Sequence, residues 1–162
     1  MSFLNSSRFT VKHAMQMGCA FILITSLNFV YNPLENKEEA IMWANRCLIQ
    51  GFDFLIEEKL KKWDIRITSD LVLQIHKEYA NRKRETYCVS LKHFKKVTHF
   101  GAVDAGVLQI ITDADNITKQ TFHDPKGDTD TMLVFLNLNV RHIMPNQVDS
   151  LNKVLNFLKL QK

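Results

Sequence analysis

The sequence predicts an α+β fold: three N-terminal helices, a three- or four-stranded antiparallel meander, and a C-terminal helix. Three observations lead there. Apolar residues recur at helical spacing through the first half, short β-forming runs separated by turn clusters fill residues 86–140, and a last apolar stripe follows Pro145-Asn146. Helices, then strands, then one helix is the segregated order of an α+β domain. The 162 residues suit a single domain, 1–162. Five glycines and three prolines are few, so long elements with few tight turns are expected.

The first predicted helix covers 9–31 and is apolar on nearly all sides from Gly18 to Val30, ending at Asn32-Pro33. Its stretch Met15 to Tyr31 carries no charged residue, which leaves a core helix, an interface helix and a membrane-associated segment as readings. A second helix is expected over 37–62. Asn36 and Glu39 form a capping-box pattern, and Ile41, Ala44, Leu48, Phe52 and Leu55 make its apolar face. A third is expected over 70–83, capped by Thr68 or Ser69, with Leu71, Ile75 and Tyr79 in line. The strands are expected at 86–91, 107–112, 117–122 and 132–140. Asp113–Asn116 and Asp124–Asp128 serve as turns, since Asp and Asn hydrogen-bond nearby backbone groups. The closing helix buries Val148, Leu151, Leu155 and Leu158.

Composition narrows the function classes. Hydrophobic residues at 46% and charged residues at 23% exclude a disordered tail or a fibrous repeat. The net charge is +4, unevenly spread: residues 76–99 hold seven Lys or Arg against two Glu, and residues 100–150 seven Asp against three Lys or Arg. Such a dipolar chain suits nucleic acid, an acidic partner or a second copy. Cys19, Cys47 and Cys88 are widely spaced with no CxxC pair, which fits reduced thiols in an intracellular, cytoplasmic setting.

Catalytic and cofactor motifs are incomplete, and no cofactor is expected. Gly101 and Gly106 have P-loop spacing, but Val107-Leu108 stand where Lys and Ser or Thr would reach phosphate and magnesium. There is no GxGxxG, no G-x-S-x-G elbow and no HExxH. Asp113, Asp115, Asp124, Asp128 and Asp130 are the one dense supply of hard oxygen ligands. A metal-dependent phosphoesterase would need them to converge, with His123 as acid or base. On neighbouring turns of a meander they are expected to serve the turns instead.

Two binding readings remain. The first is a non-enzymatic protein acting through protein–protein contacts, as a homodimer or with another chain, with Trp63 as an interface anchor. The second is sequence-independent nucleic-acid binding by residues 77–100. There Lys77, Arg82, Lys83, Arg84, Lys92, Lys95 and Lys96 would meet phosphates while Tyr87 and Phe94 stack on bases.

Overall fold

The computed structural model describes residues 36–161. All of them belong to the second of two units into which the chain divides, Tyr31–Lys162. The expected helix over 9–31 lies outside the described residues.

Helix α1 (Lys37–Gly51) starts where Asn36 accepts the Glu38 backbone N–H at 2.8 Å, and it buries Ala40, Ala44, Leu48 and Gly51. It stops at residue 51, not 62. Phe52 turns extended, and Asp53 accepts the Leu55 N–H, so the aspartate offers the backbone a turn in place of another helical bond. Strand β1 (Leu60–Ile67) follows, with Trp63, Ile65 and Ile67 on one face and Lys62, Asp64 and Arg66 on the other. The expected helix over 70–83 is instead a hairpin arm. Strand β2 (Val72–Tyr79) buries Leu73, Ile75 and Lys77 at period two, and Leu71 and Arg82 take left-handed conformations in the turns on either side. Thr68 accepts the Val72 N–H within the first of those turns rather than capping a helix.

Strand β3 (Arg84–Ser90) and a 3-10 turn at Leu91–His93 lead into β4 (Phe94–Gly101), a strand absent from the sequence-based expectation. Then come β5 (Gly106–Thr112) and β6 (Ile117–Phe122) as expected. The run 132–140 divides into β7 (Thr129–Leu133) and β8 (Phe135–Val140), and α2 (Pro145–Lys159) closes the chain.

The strands do not form one short meander. They build a five-stranded sheet in the order β1-β2-β3-β6-β7 and a three-stranded sheet in the order β4-β5-β8, all pairings antiparallel. The chain changes sheets three times at one corner. There Thr112 donates from its backbone to Val134 and Asp113 to His93, while the buried Thr112 hydroxyl bonds the Ala114 and Val134 carbonyls. This corner is why β5 and β6, adjacent in sequence, are not paired. Phe94, Ile75, Val89, Leu108, Ile117, Leu138, Leu151 and Leu155 share one fully buried core. Among the described residues no helix is long and apolar enough to cross a membrane.

Candidate functional site

The nine residues expected to hold nucleic acid do not form one surface. Lys77 and Tyr87 point inward, and Phe94 is wholly buried in the core. Lys83 is engaged by two carboxylates, Glu85 at 2.9 Å and Asp124 at 3.0 Å. Arg82 and Arg84 sit at the start of β3, whereas Lys92, Lys95 and Lys96 lie beyond its far end, roughly 20 Å away at the rise of a strand. The alternation of β2 and β3 turns Lys77 and Tyr87 into the interior, and the start of β4 does the same with Phe94.

The aspartates are likewise divided by the length of β6. Asp113 stands at the corner, 3.3 Å from His93 and bonded by Asn116; Asp115 shares that turn. Asp124 accepts from Lys126 and Lys83 at the other end, with Asp128 beyond it, and Asp130 accepts from Gln120 on the sheet face. Among the described residues no three His, Cys, Asp or Glu side chains gather as metal ligands.

The buried charges form a cluster that the sequence reading missed. Lys77 bonds Glu57 at 2.5 Å, and both Tyr79 and Asn139 also donate to Glu57. Tyr79 and Tyr87 donate to Glu85, which Lys83 and Lys119 also face. Burial, with Glu85 and Glu57 beside them, pushes both phenols well above their ordinary 10.0. Burial alone would raise the Glu85 carboxyl; the Lys83 bond, Lys119 and Tyr87 outweigh it and hold it below the ordinary 4.5. The cluster's visible consequence is positional. It clamps the segment 53–59 between sheet and solvent, and Trp63 packs beneath that segment against Phe52 and Phe54.

On the opposite face of the five-stranded sheet, Lys62, Asp64, His76, Glu78, Arg84, Thr86 and Phe122 line an open cleft of about 470 Å³. His76 Nδ1 meets Thr86 Oγ1 at 3.1 Å, and the Asp64 carboxylate turns to Arg66 at 3.6 Å. No histidine–carboxylate pair forms there to activate the threonine.

The sheet edges differ sharply from one another. At β1, Asn45 accepts the Ile67 N–H at 2.6 Å and donates to its carbonyl, and a bulge with Lys61 and Lys62 interrupts the other end. At β4, Asn152 does the same to Val97 at 2.6 and 2.7 Å, Lys159 caps the Phe94 carbonyl, and a bulge coincides with Lys95 and Lys96. At β8, Phe52 bridges Val140 and the Asp53 N–H donates to Asn139. Bulges, lysines and covering helices are the devices that keep sheet edges from pairing with other chains. Among the described residues, strand β7 has none of these three. Among the described residues nothing pairs with its outer edge, it has no bulge or lysine, and Met132, Val134 and Phe135 around it are 53%, 42% and 51% exposed.

Comparison with known proteins adds no relative. No family model matches the chain, and no curated protein or solved structure resembles it significantly. The reading of function therefore rests on the surfaces just described.

Proposed function

We propose that this protein is a non-enzymatic interaction module that pairs with a second copy of itself along β7. The observation that carries this is the contrast among the edges: β1, β4 and β8 are blunted or covered, and among the described residues β7 is open along its whole length. An open edge offers unpaired backbone donors and acceptors to an incoming strand, and alternate side chains add selectivity. The sequence Thr129-Asp130-Thr131-Met132-Leu133 is compatible with antiparallel self-pairing about Thr131. Asp130 then stands opposite Met132 of the second copy, and no like charges are directly opposed. The exposed Met132, Val134 and Phe135 supply apolar area beside the new ladder. Such a two-fold contact is closed, so it gives a dimer rather than a filament.

Sedimentation velocity on the full chain tests the reading. The wild type should sediment as a dimer of the 18.8 kDa chain. Thr131→Lys places two lysines face to face on the axis and should give monomer, while Thr131→Val should keep the dimer. A wild type that is monomeric throughout the micromolar range, or a Thr131→Lys protein that dimerises normally, overturns it.

A further inference from the structure

We infer that the Phe54-Leu55-Ile56 loop is a docking element for an anionic lipid surface, independent of the β7 contact. The three residues are consecutive, and they are 41%, 68% and 52% exposed. A loose loop would be free to fold such residues back. This one is held at both ends: Asp53 is buried, donates its N–H to Asn139 and accepts from Leu55, and Glu57 is fixed to the buried Lys77. Between those anchors Phe54 stacks on Trp63 at 6.2 Å and lies over Arg141 at 5.7 Å. Leu55 and Ile56 are therefore presented outward by a rigid base. Contiguous exposed apolar residues on a soluble surface mark a place where something apolar docks.

Charge indicates which apolar phase fits. Lys59 and Lys61 follow the loop directly and are exposed, with Arg141 beneath it; Glu58 is the exposed carboxylate among them. An apolar tip flanked by cations matches the boundary of a bilayer, with side chains among acyl groups and cations at acidic headgroups. The chain also holds the uncharged, largely apolar stretch Met15 to Tyr31.

The test uses the full chain and co-sedimentation with vesicles of phosphatidylcholine alone or mixed with phosphatidylserine. Binding should favour the anionic vesicles and weaken with salt. The double variant Leu55→Asp with Ile56→Asp should weaken it about tenfold or more, because two apolar side chains leave the lipid phase. Near-UV circular dichroism should be unchanged, since neither residue is in the core. In a Trp43→Phe background, brominated lipid should quench Trp63. The inference is overturned if no vesicle binding occurs, if the double variant binds as the wild type, or if Trp63 is not quenched. A double variant that changes sedimentation and not vesicle binding makes the loop a protein contact, which equally overturns it.

Discussion

Asn45 and Asn152, on different helices and facing different sheets, perform the same operation. Each presents its side-chain amide to the free edge of a strand and satisfies both backbone groups of one residue, Ile67 for Asn45 and Val97 for Asn152. A helix that packs its apolar stripe on a sheet brings one such residue to the rim, where an unmet N–H would otherwise face protein rather than water. Both described helices thus shield sheet edges, which makes the edge of β7, unpaired among the described residues, significant.

Asn152→Ala should destabilise the fold by about 2–3 kcal/mol, because two short bonds to Val97 disappear and part-buried backbone groups are left unmet. Urea unfolding measures this. A loss below about 0.5 kcal/mol, the range of ordinary surface substitutions, would show that water replaces the amide.

Lys77→Met should cost about 3–5 kcal/mol, because it removes the cation from the part-buried Glu57 carboxylate and leaves it only the neutral donors Tyr79 and Asn139. The double variant Lys77→Met with Glu57→Gln should recover much of that loss. A double-mutant cycle with no coupling would show that the pair does not clamp the loop.

Little of this pairing was legible in the sequence, for a physical reason visible in β2. Leu71, Ile75 and Tyr79 are four residues apart, and four is close to one helical turn and also a whole number of strand repeats. The spacing cannot separate the two. Leu73, two residues from Ile75 and buried beside it, decides for the strand. In β1 the order Trp63-Asp64-Ile65-Arg66-Ile67 alternates plainly, but it was obscured by extending α1 to residue 62. The same extension placed Leu55 in a core face, whereas it is among the most exposed apolar residues. By contrast β5, β6, the start of α1 and the whole of α2 follow from local signals. Edge status, which carries the functional reading, depends on which strands meet in space, and no local pattern encodes it.

The buried cluster should make stability depend on pH at both extremes. Glu85 has its folded value below the ordinary 4.5, so the unfolded chain takes up a proton first as pH falls. Its contribution is complete above about pH 4.5 and is lost as pH drops through the lower folded value. Tyr79 and Tyr87 are shifted up, so their contribution is complete below 10.0 and declines as pH rises beyond it. Urea midpoints across pH check both limbs. Glu85→Gln should flatten the acid limb, and an unaltered acid limb would remove Glu85 as its source.

Gly51→Ala should destabilise α1 by about 1–3 kcal/mol through overpacking, since a methyl there would overlap the Ile143 side chain. Adding Ile143→Val should restore part of the loss. Equal thermal midpoints for Gly51→Ala and the wild type would show that Ile143 has room to move.

Amide hydrogen exchange as a function of protein concentration tests the β7 contact most directly. Self-pairing predicts that the outward-pointing amides within residues 129–133, alternate along the strand, gain protection as concentration rises through the micromolar range, while those of β1 and β4 do not change. Thr131→Lys should abolish the gain. Protection of β7 that is independent of concentration, or a gain confined to β1 or β4, would contradict the proposed dimer.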